Sequence, residues 1–212
     1  MRIVSWLAMV GFAFVVLNSA WAQGPAKGQP LTLKLAMEDQ FGTAHRLEDH
    51  RGDVVILVYS DRDGAEASRA LGERLHVHFH PSARGLPPSE ASKAPVRPVP
   101  GVAQDVDQPD AKMIAVACIA DISGSGFKAL RSYIKSRFRE VAPEVPIWLD
   151  MANQMKTQCG LVAKVPNVAV IDVDGQLRYS KAGAWGQSDF DELTRTVDKL
   201  RREAIARTGQ KN

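Results

Sequence analysis

The sequence predicts an α/β fold in which a mixed central sheet is flanked by helices. Continuous apolar runs rich in β-branched residues, at 54–59 and 113–119, are typical of strands buried on both faces of a sheet. Segments with apolar residues at helical spacing follow both runs. Asp174-Gly175 separates the last two strand-like segments and indicates a hairpin, which makes the sheet mixed. Strands that alternate with helices in this way favour a sheet with helices on both faces.

Amino-acid composition and net charge argue against several classes of protein. The chain has 212 residues, of which 45% are hydrophobic and 24% charged, so it can form a core, and its length favours one domain. A net charge of +3 does not indicate nucleic-acid binding, which needs a concentrated basic face. The two cysteines exclude a disulfide-stapled miniprotein and a four-cysteine zinc site.

The N-terminus has the pattern of a secretory signal peptide at 1–22. A basic start, an apolar run over 3–17 and small residues at Ala20 and Ala22 predict cleavage after Ala22. The alternative is a membrane anchor, for which the run is short. We therefore expect an exported, periplasmic protein with no membrane contact after cleavage. The polar residues 23–30 predict a mobile lead-in.

The expected domain spans 31–206 and leaves a tail at 207–212. Leu31 to Met37 alternates like a half-buried strand. A loop at 60–64 and a helix at 65–75 follow the first buried strand. The remaining expected elements are a helix at 127–141, a short strand at 145–149, a helix at 152–159, strands at 167–172 and 177–181, and a helix at 189–206 capped by Ser188. The last helix is basic, with Arg201 among its charges, and its apolar positions predict a helix docked on the surface.

Residues 81–110 form an insertion in this pattern. The segment holds seven of the 12 prolines, few large apolar residues and no periodicity. Such a segment buries too little area to offset its ordering entropy, so we expect an irregular, disordered, Pro-rich insertion.

The order of elements resembles the thioredoxin-like fold, and within it the redoxin group of exported TlpA/ResA-type proteins and peroxiredoxins. Four stretches carry the resemblance across most of residues 35–203. They are Asp39-Gln40-Phe41-Gly42 through Leu47 to Arg51-Gly52, the strand VVILVYS, Val165-Pro166 followed by VAVIDVDG, and Ala182-Gly183. The resemblance implies a cis proline at Pro166, beside Val165, at the active edge. A trans proline at the start of a strand is the alternative.

The expected catalytic cysteines are absent. Redoxins carry a Cys-x-x-Cys or a peroxidatic cysteine at the start of the helix after the first core strand, where the helix N-terminus stabilises a thiolate. The corresponding loop reads Ser60, Asp61, Arg62, Asp63 and Gly64, and no cysteine lies between 60 and 117. Serine is a far weaker nucleophile and forms no disulfide, so disulfide exchange at this degenerate loop is excluded. Capping of the helix is the favoured role of Asp61 and Asp63 over ligand binding.

Three hypotheses about the role of the two cysteines remain open. Cys118 lies within a strand, where a small buried core residue is expected. Cys159 ends a helix a few residues before Pro166, where thiol chemistry is conceivable although a structural thiol is favoured. A disulfide between the two cysteines is a further alternative, because export permits oxidation.

A run of three histidines is weak evidence for a metal-binding site. On an extended chain His76, His78 and His80 would share one face and could bind Zn²⁺ or Cu²⁺ together. On a helix His76 and His80 pair and His78 points away. A solvated segment leading into the insertion is favoured.

These observations predict an exported thioredoxin-like protein without its usual catalytic cysteines. We expect a non-enzymatic binding or structural module that needs no cofactor and meets an exported protein or extended peptide along the Val165-Pro166 edge. The alternatives are a thiol oxidoreductase or peroxidase of altered layout that uses Cys159, and a metal-binding protein that uses the histidine run. The sequence indicates no oligomeric state.

Overall fold

A computed structural model describes residues 31–122 and 124–209. The predicted signal peptide and the lead-in at 23–30 lie outside the described residues. In the part of the chain that is described, no helix is both long and apolar enough to cross a membrane.

Within residues 31–122 and 124–209, seven strands and five α-helices form the domain. The strands are β1 (Ala36–Asp39), β2 (Ala44–Arg46), β3 (Val54–Ser60), β4 (Ala111–Cys118), β5 (Trp148–Asp150), β6 (Asn167–Ile171) and β7 (Leu177–Ala182). The helices are α1 (Ala65–Phe79), α2 (Pro88–Ala91), α3 (Lys128–Val141), α4 (Gln154–Gln158) and α5 (Gln187–Gly209).

The strands form one mixed sheet in the order β2-β1-β5-β4-β3-β6-β7. Strand β3 is central and fully buried, as its continuous apolar sequence predicts; it pairs in parallel with β4 and antiparallel with β6. Strand β4 also pairs in parallel with β5, and β6 forms the predicted hairpin with β7. The strand arrangement β4-β3-β6-β7, in a mixed sheet with helices packed on both faces, is thioredoxin-like, and this confirms the predicted fold class.

Two apolar clusters, one on each face of the sheet, form the core. On one face, α1 and α5 pack through Leu75, Phe79 and Leu193 against Ile56. On the other face, the N-terminal residues Leu33, Leu35 and Leu47 and Met155 of α4 cover Leu57 and Tyr59 of β3. Alternate residues of β3 serve opposite faces because successive side chains of a strand point in opposite directions.

Several predicted boundaries differ from the structure. The N-terminal strand begins at Ala36 rather than Leu31, because the preceding residues make only an isolated bridge from Thr32 to Gln176. Helix α5 begins at Gln187, so Ser188 lies inside the helix instead of capping it, and the helix continues through the expected tail to Gly209.

The Pro-rich insertion is irregular but packed. A 3-10 turn at Pro81–Ala83 and the short helix α2 are the α- or 3-10-helical elements within 81–110. Val99 is only 1% exposed, and its backbone N–H donates to Gln108 Oε1 at 2.8 Å. The expectation of disorder is therefore wrong for this segment, because it gains contacts from α5 that its own composition does not reveal.

Arg201 of α5 holds the insertion in place. Its side chain is 0% exposed; Nε donates to Pro109 O at 2.7 Å and Nη2 donates to Arg97 O at 3.0 Å. The Arg97 side chain in turn donates to Asp198 Oδ2 of α5 at 2.6 Å. Arginine suits this role because several donors extend from one rigid plane. Arg201 is thus buried and binds the insertion to α5, and it does not lie on the solvent-exposed face of the helix. We call this contact the clamp.

Candidate functional site

The candidate site lies at one edge of the sheet, where the carboxyl ends of β3 and β4 meet. Ser60 at the end of β3 is paired with Ala117, the residue before Cys118. Carboxyl ends of parallel strands form the usual ligand-binding edge of an open α/β sheet. We call the loop 60–64 together with 164–166 the site edge.

Asp61 joins the two halves of the site edge. Both of its carboxylate oxygens lie 3.0 Å from the backbone nitrogen of Lys164, and Oδ1 also accepts from the N–H of Gly64 at 3.0 Å. The predicted capping role of Asp61 is thus met in part, since Gly64 is the residue that precedes α1. The link to Lys164 spans 103 positions of the chain and could not be predicted from local sequence.

Gly64 allows close approach of the two loops. A Cβ on this residue would lie 2.9 Å from both the backbone nitrogen and the carbonyl oxygen of Val165, and 3.0 Å from Ser60 Cβ. Real Cβ atoms essentially never come this close to backbone, so no other residue fits without a shift of the loop.

Asn167 shapes the second half of the site edge. Its amide nitrogen donates to the carbonyls of Val162 and Val165, each at 2.9 Å, and its Oδ1 accepts from the Val162 N–H at 2.8 Å. All peptide bonds of the described residues are trans, so the predicted cis bond before Pro166 is wrong. Pro166 is buried at the start of β6, which is the alternative that the sequence left open.

The exposed charges of the site edge come from three residues. Arg62, Asp63 and Lys164 are all exposed. Within the described ranges none of their side chains forms a hydrogen bond or an ion pair. The edge therefore presents side chains of both signs to solvent and no thiol.

Cys118 and Cys159 are free and half-buried on one face of the sheet. Both pack against the core cluster that contains Tyr59. The Tyr59 hydroxyl donates to Gly160 O at 2.9 Å and so fixes the chain just after Cys159. Sequence reasoning missed Tyr59, because it lies inside a strand identified only as apolar.

Burial suppresses the ionisation of both thiols. Burial, and next the carboxylate of Asp150, raise the pKa of Cys118 to about 12, with smaller effects from Asp61 and Cys159. The same two leading causes raise the pKa of Cys159 to about 12. A nucleophilic cysteine needs the opposite shift, since the thiolate is the reactive form. Both cysteines are neutral thiols at physiological pH.

Asp150 itself is a structural carboxylate. It is buried and accepts from the backbone N–H groups of Gln154 at 2.9 Å and Met155 at 2.8 Å. It thereby positions α4, which carries Cys159 at its C-terminal end. The sequence signal was present, because an aspartate directly after a strand and before a helix favours such capping.

The histidine run does not converge on a metal. Helix α1 continues to Phe79, so His76 and His80 stack with ring centroids 4.5 Å apart while His78 faces Phe190. His80 Nε2 lies 3.0 Å from Asp110 Oδ1, and His78 Nε2 lies 3.0 Å from Arg97 Nη2. Among the described residues no group of three or more histidine, cysteine or acidic side chains could hold a metal ion. The predicted shared face required an extended chain, and the helix removes it.

Comparisons with known proteins give matches of structure only. No family model matches the sequence, and no curated protein matches it. Among solved structures, the chain is similar to an exposed lipoprotein thioredoxin of Streptococcus pneumoniae, with 18% identity, a TM-score of 0.48, and coverage of 79% of this chain and 99% of that one.

Two further solved structures give similar values. A thiol:disulfide interchange protein of the thioredoxin family from Chlorobium tepidum has 11% identity and a TM-score of 0.46, over 82% of this chain and 99% of that one. A secreted thiol-disulfide isomerase from Corynebacterium glutamicum has 13% identity and a TM-score of 0.45, over 82% and 85%. The strand order and strand directions described above, and not these alignments, define this fold as thioredoxin-like.

Proposed function

We propose that this chain is an exported, non-enzymatic binding module of thioredoxin-like fold, and that it meets an extended polypeptide at the site edge. The observation that carries the proposal is that the loop after β3, Ser60 to Gly64, holds no cysteine and presents Asp61 to the opposite loop. Its carboxylate accepts hydrogen bonds from Lys164 N–H and Gly64 N–H, so it stabilises the loop, and the loop offers no thiol.

Preorganisation supports a binding role. The tie from Asp61 to Lys164 and the contact of Gly64 with Val165 hold two distant loops in one arrangement. A surface that is already ordered loses less conformational entropy when a partner binds. The exposed charges of Arg62, Asp63 and Lys164 supply polar contacts of both signs for a peptide backbone or side chains.

A photo-crosslinking residue tests the proposed edge directly. It replaces Arg62 in one variant and Arg195, an exposed arginine of α5, in a control variant. We expect protein adducts in the exporting compartment from position 62 that position 195 does not give. Equal adducts from both positions, or none from position 62, would contradict binding at the site edge.

A further variant, Cys159→Ser, distinguishes this binding module from the main alternative, a thiol enzyme that uses Cys159. A thiol enzyme that uses Cys159 would turn over a disulfide or peroxide substrate and lose that turnover in Cys159→Ser. A binding module keeps its position-62 adducts in Cys159→Ser, because that thiol takes no part in the contact.

A further inference from the structure

Helix α3 is amphipathic, yet none of its residues is fully buried. Its apolar positions follow helical spacing, which normally indicates a face packed on the core. Over Lys128–Val141, however, no residue is buried. The largest exposed fractions among its apolar side chains are 63% for Tyr133 and 71% for Val141, and Leu130 and the preceding Phe127 are also exposed.

Polar contacts tie the helix to the domain, and its apolar residues Ile134 and Phe138 are only partly buried. Arg131 Nε donates to Ile122 O at 2.8 Å, and Arg139 Nη1 donates to Gln40 O at 3.1 Å. Lys135 pairs with Glu38 of β1. These contacts fix the helix against the domain and leave its exposed apolar side chains in solvent.

Helix α3 carries a net positive charge. The helix carries five basic residues and one acidic residue, namely Lys128, Arg131, Lys135, Arg137, Arg139 and Glu140. Arg137 pairs with Glu140, and Lys128 is exposed. A basic amphipathic helix with exposed aromatic and aliphatic side chains has the character of helices that lie in the plane of a membrane surface.

The dimensions favour a lipid surface over a protein partner. At 1.5 Å rise per residue the helix is about 21 Å long and roughly 10 Å wide, so one face offers roughly 200 Å². A stable protein interface buries about 800 Å² on each side. An interfacial helix needs only its own apolar face and basic flanks, since lipid headgroups supply the opposite charge.

We propose that α3 docks this protein on anionic phospholipid surfaces, with Leu130, Tyr133 and Val141 in the interface and the exposed Lys128 and Arg137 against the headgroups. Tyrosine suits this depth because its ring is apolar and its hydroxyl stays hydrated. The proposal revises the expectation of no membrane contact, which considered only spans. It is independent of the function proposed for the site edge.

Vesicle co-sedimentation tests the proposal. The probes are vesicles of phosphatidylcholine alone and of phosphatidylcholine with about one-third phosphatidylglycerol. The same processed form of the full chain is used throughout, so any contribution of residues 1–30 is common to all variants. We expect binding to the anionic vesicles that weakens several-fold as salt is raised, because screening shortens the reach of the charges.

Matched variants locate the contact. Lys128→Glu with Arg137→Glu should weaken anionic-vesicle binding at least about tenfold. Arg195→Glu with Lys199→Glu on α5 changes the net charge equally and should leave binding within about twofold of the unsubstituted protein if α3 makes the contact. Lys199 forms an ion pair with Glu203 of the same helix, as Arg137 does with Glu140. Each double variant therefore removes one intrahelical ion pair, so the control matches the test in this respect too.

A second pair of substitutions tests the contribution of the exposed apolar side chains of α3. Tyr133→Ser with Val141→Ser should also abolish most binding, whereas Leu86→Ser with Val106→Ser, at exposed apolar positions of the insertion, should not. Circular dichroism verifies that each variant is folded. No binding to anionic vesicles, or binding that is equal in the α3 variants and their controls, would overturn the proposal. Capture of an acidic protein through α3 without vesicle binding would also overturn it and assign the face to a protein partner.

Discussion

The Asp61 carboxylate lies 3.0 Å from the backbone nitrogen of Lys164 and so joins two loops 103 positions apart in the chain. This link is a structural contact at the carboxyl edge of the sheet. It makes the site edge a fixed surface, and its consequences can be measured.

Removal of the Asp61 carboxylate should loosen the site edge. Asp61→Ala removes the acceptor for Lys164 N–H and Gly64 N–H, and hydrogen bonds to a charged group contribute about 1.5–3 kcal/mol. We expect a loss of about 1–2 kcal/mol in the free energy of unfolding by urea, because the carboxylate is partly solvated. Asp63→Ala, at an exposed carboxylate that pairs with no side chain among the described residues, is the control and should change stability by less than about 0.5 kcal/mol.

Gly64 and Gly72 should respond oppositely to alanine. A Cβ at Gly64 meets Val165 backbone at 2.9 Å, so Gly64→Ala should destabilise the protein by about 1–3 kcal/mol through overpacking. At Gly72, within α1, a Cβ meets nothing within 4 Å. Gly72→Ala should therefore stabilise by about 0.5–1 kcal/mol through helix propensity. Equal effects of the two substitutions would show that the two loops are not in contact.

Arg201 should control the order of the Pro-rich insertion. Arg201→Met removes the donors to Pro109 O and Arg97 O and leaves Asp198 without that neighbouring charge, so we expect a loss of about 3 kcal/mol. Limited proteolysis should then cut within residues 97–109 much faster than in the unsubstituted protein. Arg195→Met is the exposed control. Unchanged cleavage of the insertion in Arg201→Met would contradict the clamp.

The two thiols should make the fold sensitive to alkaline pH. Their pKa is raised to about 12, above the ordinary value of 9.0, so the fold favours the neutral thiol. The resulting stabilisation is fully present below pH 9.0 and is lost as the pH rises toward 12. Urea unfolding at increasing pH should show a smaller alkaline loss in Cys118→Ala with Cys159→Ala than in the unsubstituted protein. An equal or steeper loss in the double variant would show that the thiols are not held neutral.

Regular elements were predictable from sequence because their signals are local. The buried run of β3, the hairpin at Asp174-Gly175 and the periodicity of α1 each lie within a few residues. The periodicity of α1 in fact continues from Leu71 and Leu75 to Phe79, and this spacing could have placed the histidine run on a helix. The fold class followed from the order of such elements.

The site edge and the clamp were not predictable, because their partners are distant in the chain. Asp61 contacts Lys164, and Arg201 contacts Arg97 and Pro109, through backbone groups whose positions depend on the whole fold. The sequence shows directly that the loop 60–64 holds no cysteine. It could not show that a carboxylate there binds the opposite loop, or that the proline bond is trans.

Turnover of a disulfide substrate tests the central claim most directly. Purified protein is assayed for glutathione- or dithiothreitol-driven reduction of insulin near neutral pH, alongside Cys159→Ser. Two half-buried thiols with raised pKa values predict a rate equal to that of the reductant alone, for both proteins. A rate above the reductant background that disappears in Cys159→Ser would contradict the account and identify a thiol enzyme.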